Sequence, residues 1–265
     1  METPRLTGER IRQYLEQGKR FDGRDLNEFR DLKIETGISK NAEGSVRVIL
    51  GKTEVLVGIK MGVTAPYPDS PDKGNLMVTS ELLPLSSERF ESGPPKFPAI
   101  ELGRVIDRFI RESKFIELEK LCIKEGEKVW EIFIDIYSIN SDGNLMDAAG
   151  IGAIVALKHA KMPKYDEKEE KIIRGEWTDK KIPLKKEIPI SVTVHKIGNS
   201  FIVDPIQEEE DISETRVTVG GHDETIHSLQ KGDHKSLKIE EFHKMLDLAE
   251  ETRASILDKI GKYLK

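Results

Sequence analysis

The chain has 265 residues, 37% of them hydrophobic and 34% charged, and 42 basic against 48 acidic side chains leave a net charge of −6. This excludes a disordered or collagen-like chain, and it excludes a free-standing basic nucleic-acid binder, so any contact with RNA or DNA must run through a local patch. The longest apolar run, Ala148 to Leu157, is too short to span a bilayer, and the polar N-terminus lacks a secretory pattern, so no membrane contact and a cytoplasmic location are expected.

In chain order, residues 5–17 predict a short helix ended by Gly18, with apolar residues at 6, 11 and 15 able to pack on the main body. Arg20-Phe21-Asp22-Gly23-Arg24 carries a turn signal, and alternation predicts strands over 32–36, 44–50 and 53–60. Gly51-Lys52 between the last two reads as a hairpin turn, and a partly solvated antiparallel sheet is the simplest host. Three prolines and two glycines make 62–75 a loop, after which 76–83 returns as a strand. Gly93-Pro94-Pro95-Lys96-Phe97-Pro98 then delivers a helix over 99–113, apolar at 102, 105, 106, 109 and 110. Arg104, Arg108 and Arg111 gather elsewhere on its wheel. One reading pairs them locally, Arg104 with Asp107, Asp107 with Arg111 and Arg108 with Glu112; the other makes them a binding stripe.

Residues 118–123 predict a helical turn in which Cys122, without an internal disulfide partner, is a buried small hydrophobe. Lys128 to Tyr137, dense in β-branched and aromatic residues, predicts a central strand. Asp147 to Lys161 predicts a helix whose alanines and glycines let it sit buried against the sheet; Gly150-x-Gly152 lies inside it and is no dinucleotide fingerprint. The charged stretch 163–187 reads as a connector. Strands over 188–197, 200–203, 215–219 and 225–230, a turn at Gly220-Gly221-His222-Asp223 and a long helix over 238–264 complete the chain.

Few residues offer chemistry by spacing alone. His222 and His227 have no third partner at metal-ligand spacing, so no metal site is expected. Glu208-Glu209-Glu210-Asp211 with Glu214 suits either a divalent cation, an acid/base pair or a solvated loop, and Ser86, Ser87, Ser113 and Ser138 lack a histidine arrangement.

Several segments, in order, resemble the RNase PH superfamily of phosphorolytic exoribonucleases. They are Arg20-Phe21-Asp22-Gly23-Arg24 with Glu28-Phe29-Arg30, Glu43 to Val55, Glu101 to Glu112, Asp135 to Asp142, and Asp147 to Leu157. Tyr67 to Gly74, Glu81 to Leu85, Phe90 to Pro95 and Glu125 to Trp130 more closely resemble the non-catalytic RNase PH-like subunits of archaeal exosomes. The resemblance implies an α/β (α+β) fold of two mixed-sheet subdomains, the first like ribosomal S5 domain 2. The expected divisions are an N-terminal helix (1–19), a first subdomain (20–165), a charged connector (166–187) and a second subdomain with the final helix (188–265). It further implies a hexameric ring alternating with a catalytic RNase PH-like subunit, RNA-binding cap proteins, and single-stranded RNA shortened from its 3′ end. Inorganic phosphate is then the co-substrate at the partner's site, and this chain needs no cofactor of its own.

Departures from that pattern imply an inactive homologue. Where active members carry Arg-Arg-Ser before the helix, this chain has Phe97-Pro98-Ala99; where they carry Gly-Ser/Thr-Arg to hold phosphate, it has Asn144, Leu145 and Met146. Of their two aspartates, the corresponding stretch keeps Glu210 and then Arg216 or Val217, depending on register. Without fixed cationic donors, the repulsion between a phosphate dianion and a polyanionic strand is not offset. The resemblance makes Arg104 and Arg108 the RNA-binding residues and leaves Arg111 and Lys96 as contacts to RNA or to the neighbouring subunit. The alternatives are a purely architectural ring subunit without RNA contacts and an autonomous phosphorolytic exoribonuclease.

Overall fold

The structure is a computed structural model that describes residues 3–166 and 168–264, apart from the side chain of residue 174. The first sheet contains β1 (Leu32–Thr36), β2 (Gly44–Leu50), β3 (Thr53–Thr64), β4 (Asn75–Leu82), β5 (Cys122–Lys124) and β6 (Lys128–Asn140), in the order β1-β2-β3-β6-β4, with β5 also on β6. β2 and β3 form the expected hairpin, Leu50 opposite Thr53, with Gly51 at φ 58°, where glycine avoids the Cβ clash. The partly solvated antiparallel sheet that alternation suggests holds over most of the pairings, and the mixed character that the resemblance implies enters at one edge, where β4 runs parallel to β6. The chain crosses back after β4 through α2 (Phe97–Glu112), and such a crossover returns a strand in the same direction.

α1 (Arg5–Glu16) precedes this sheet, and α3 (Leu145–His159) follows it. Strands β9 (Ile190–Ile197), β10 (Ser200–Val203), β11 (Thr215–His222) and β12 (Thr225–Gly232) make a second sheet in the order β10-β9-β11-β12, closed by α5 (Ile239–Ile260). All three of its pairings are antiparallel, so only the first sheet is mixed. α1 seats Ile11 and Leu15 against Ile197 and Ile202, and α4 (Gln207–Asp211) lies between β10 and β11.

α3 carries the strongest packing constraint. Every residue from Asp147 to Leu157 is buried, because the helix lies between the two sheets rather than on one. A Cβ at Gly152 would fall 2.7 Å from Val57 of β3, and one at Gly150 would fall 2.6 Å from Ser191 of β9. At its far end Gly44 of β2 comes so close that a Cβ would lie 2.5 Å from the Ala156 carbonyl and 2.9 Å from Ala160 Cα, both backbone atoms that cannot rotate away. Gly44→Ala is therefore expected to destabilise the fold by about 1–3 kcal/mol, read as a lower denaturant midpoint at unchanged slope.

Three local readings change. The 163–187 stretch expected as a connector contains an antiparallel hairpin of β7 (Lys161–Asp166) and β8 (Lys171–Lys181). Its charged residues alternate with Tyr165, Ile172 and Met162, which pack on the core, a pattern masked by the charge density. Residues 118–121 form a 3-10 turn that runs into β5, leaving Cys122 half-buried. The β11–β12 turn sits at Asp223 and Glu224, with Gly220, Gly221 and His222 inside β11; Asp223 supplies the left-handed residue at φ 44°. Gly220 is needed in the strand instead, because its missing side chain admits Phe109 of α2, 2.8 Å from where a Cβ would stand. Among the described residues no helix is long and apolar enough to cross a membrane.

Candidate nucleic-acid interface

Pro98 in the first turn of α2 costs no hydrogen bond, since the first N–H groups of a helix have no intrahelical acceptor. Leu102, Val105, Ile106, Phe109 and Ile110 bury one face against β4, α3 and the second sheet, which leaves Arg104, Arg108 and Arg111 exposed. The three arginines then part company. Arg111 donates to both oxygens of Asp107, at 2.6 and 3.1 Å, and to the Leu76 carbonyl at 3.0 Å, and the Asp107 hydrogen bonds push its pKa up. Neither other local pair forms. Arg108 Nη1 reaches only the Gln230 amide oxygen on β12, at 3.5 Å, and Arg104 has no hydrogen bond or ion pair among the described residues. Lys96, just before the helix, pairs with Glu91. Lys96 and the prolines at 94, 95 and 98 wall a groove of about 600 Å³ that opens beside β4.

Behind this helix the structure brings together Asn144, Glu210 and Arg216, three of the residues singled out in the sequence. Asn144, at φ 55°, begins α3 and donates its N–H to Glu210 Oε2 at 3.1 Å. Leu145 and Met146 pack against the core, so they offer only backbone groups. Burial pushes the Glu210 carboxyl up, partly opposed by the Asn144 N–H and by Arg216. Arg216 itself is spent on Glu101 of α2 at 2.6 Å and Asp233 at 3.3 Å, tying β11 to α2, while Val217 is in the core.

The acidic stretch is neither a solvated loop nor an open cation site. Glu209 is fully buried against Arg20, Asp211 accepts from Arg89, Gln207 and Thr3, and Glu214 pairs with Lys235 at 3.1 Å and Arg12 at 3.7 Å. Only Glu208 stays exposed.

The structure adds a centre that periodicity did not find. Asp204 is fully buried and accepts Arg30 N, Nε and Nη2 at 2.8, 2.9 and 2.6 Å, Arg24 Nη1 at 3.1 Å and Asn144 Nδ2 at 2.9 Å. Burial alone would raise this carboxyl, but the Arg30 hydrogen bonds outweigh it and hold it below the usual range. The available signal was an aspartate directly after the apolar strand Ser200 to Val203, with three arginines gathered in 20–30. Elsewhere, Ser86 and Ser138 share a hydrogen bond of 2.7 Å, and His222 and His227 touch at 2.6 Å.

Models of the 3′ exoribonuclease family match residues 28–163 as its first domain and 187–252 as its second, leaving the end of β7 and all of β8 between them. The chain is 47% identical over 262 residues to the exosome complex component Rrp42 of Thermococcus gammatolerans, covering 96% of this chain and 94% of that one. It is 40% identical to the Rrp42 of Methanothermobacter thermautotrophicus, covering 98% and 96%. Among solved structures, a chain of the Archaeoglobus fulgidus exosome with RNA bound to the active site superposes with a TM-score of 0.89 at 38% identity, covering 96% of this chain and 98% of that one. A chain of an archaeal exosome core gives 0.84 at 35%, covering 97% and 96%. With both domains matched and relatives of this identity along nearly its whole length, the chain belongs to the RNase PH, or 3′ exoribonuclease, family.

Proposed function

We propose that this protein is a subunit of an archaeal-type exosome ring that has lost phosphorolytic chemistry, completes the site of a catalytic RNase PH-like neighbour and holds RNA there. The observation that carries the reading is the pair Arg104 and Arg108. They stand one helical turn apart on an exposed face, without a carboxylate, in a chain whose other arginines near this site are all engaged. Arginine contacts to phosphate give affinity without base specificity, which suits an enzyme that must pass any RNA sequence. Arg111 and Lys96, held by Asp107 and Glu91, are assigned to shaping the interface.

Loss of chemistry is supported by what stands at the former catalytic positions. A carboxylate, Glu210, lies against the first N–H of the Asn144-Leu145-Met146 segment, and Arg216 faces Glu101 instead of a substrate. Inorganic phosphate is thus assigned to the neighbour's site as co-substrate, with no cofactor held here. RNA-binding cap proteins and a cytoplasmic setting complete the assignment.

The test compares the purified chain with the chain co-purified with its catalytic neighbour. Phosphate-dependent shortening of a single-stranded RNA is expected only for the pair, and shortening by the lone chain would overturn the reading. In the ring, Arg104→Glu with Arg108→Glu is expected to weaken RNA binding by about tenfold or more and to lower the dependence of log affinity on log salt by about 0.7 per arginine. The ring itself stays assembled. Dissociation of the ring with unchanged RNA affinity of the remaining subunits would instead favour an architectural role.

A further inference from the structure

A second cluster of cations lies where the β11–β12 turn meets α5. His227 Nε2 and His222 Nδ1 are 2.6 Å apart with their rings stacked at 4.6 Å, so the N–H of one imidazole donates to the ring nitrogen of the other. Beneath the turn, Arg253 of α5 is only 4% exposed, and its guanidinium presses so closely on β11 that a Cβ at Gly221 would lie 2.6 Å from Nη1. Its hydrogen bond runs to the main-chain carbonyl of Asp223. Unlike the buried Arg20 and Arg30, which face Glu209 and Asp204, it forms no ion pair among the described residues. Burying a guanidinium without a counter-charge is costly, and the same fold avoids that cost at its other two buried arginines.

The charged groups facing this cluster are unbalanced. Burial lowers the His227 pKa, and His222, Arg253 and the exposed Lys185 lower it further. Burial lowers Arg253 as well, opposed by the carboxylates of Glu250 and Asp223, neither of which reaches ion-pair distance. Two histidines in contact suggest a metal at first sight, but the flanking guanidinium and ammonium repel a cation. The same field attracts an anion, and phosphate oxygens match a guanidinium fork with imidazole and ammonium donors beside it.

We propose that His222, His227, Arg253 and Lys185 form a binding site for a phosphate-type oxyanion, separate in its residues from Arg104 and Arg108. Binding supplies the missing counter-charge to Arg253 and favours protonation of His227, so it strengthens as pH falls toward the histidine range. The phosphate has two sources, a free anion or the phosphodiester of an RNA strand. Gln230, which Arg108 touches, lies on the same strand as His227.

The experiment follows the histidine ring signals of the full chain by NMR at pH 6.5, during titration with inorganic phosphate against chloride of equal ionic strength. A second arm uses a short oligoribonucleotide without terminal phosphates. A saturable shift of both rings is expected, weakened about tenfold in Arg253→Gln and in Lys185→Gln. The Lys185 variant alters an exposed side chain and keeps the test decisive should Arg253→Gln fail to fold. Response to phosphate alone assigns a free anion, and response to the oligonucleotide assigns RNA. No saturable response to either, or one undiminished in the folded variants, overturns the site.

Discussion

Asp204→Ala is expected to lower the unfolding free energy by about 3–5 kcal/mol, the range for removing one partner of a buried ion pair. The cause is less the lost attraction than what stays behind. Arg30 is 8% exposed, and with Asp204 gone its nearest carboxylate is that of Asp142, at 3.7 Å. Arg24 and the Asn144 amide lose an acceptor at the same time. Asp204→Asn keeps the shape and tolerates the left-handed backbone at φ 47°, so it separates charge from geometry and is expected to fall between wild type and alanine. The pH sign follows from the depressed carboxyl. Its stabilisation is present above the unfolded value of 3.8 and is lost as pH falls through the lower folded value, so the alanine variant loses this acid sensitivity. A cost below about 1 kcal/mol in chemical denaturation would mean that Arg30 rehydrates, and the centre would then not join the two sheets energetically.

The second large effect has the opposite sign. Asp147, in the first turn of α3, has no exposed surface, and burial pushes its carboxyl up to about 7 despite hydrogen bonds from Thr193 N at 3.1 Å and Thr193 Oγ1 at 2.8 Å. The folded protein therefore keeps a proton that the unfolded chain releases near 3.8. Stability falls as pH rises between those values and levels off above about 7, a cost on the order of 4 kcal/mol. Asp147→Asn is neutral at every pH. Its amide oxygen can accept from Thr193 N while its NH2 donates to Thr193 Oγ1, which passes its own proton to Thr218 at 3.0 Å. The variant is expected to match wild type near pH 4 and to exceed it by up to about 4 kcal/mol at pH 8. Parallel pH profiles from thermal or denaturant unfolding would show that Asp147 is ionised in the fold.

Both carboxylates illustrate how far the chain can be read without its fold. The β2–β3 hairpin, α2, the β6 strand and α5 were legible because each buries one face, and burial of one face writes a period of two or 3.6 into the residues. The hairpin over 161–181 was missed because its exposed side carries enough charge to hide the apolar alternation. Which strand runs parallel was not legible in the residues of β4, because strand direction depends on the crossover and not on the strand itself. At the candidate site the arginine positions on α2 were legible, but not the partition that frees Arg104 and Arg108 and commits Arg111. The pairs Arg104–Asp107 and Asp107–Arg111 compete for one carboxylate, and the Leu76 carbonyl on β4 favours Arg111.

By itself, then, the sequence determined most of the elements and the family resemblance, and it identified the residue types at 144–146, since these are local matters of spacing and residue type. Only the tertiary structure decided which charges are spent. Arg20, Arg24 and Arg30 meet Glu209 and Asp204 across more than 170 positions of chain, while Arg104 meets no carboxylate among the described residues. An ion pair is a relation between two side chains in space, and Coulomb attraction falls with distance through the fold, not along the backbone.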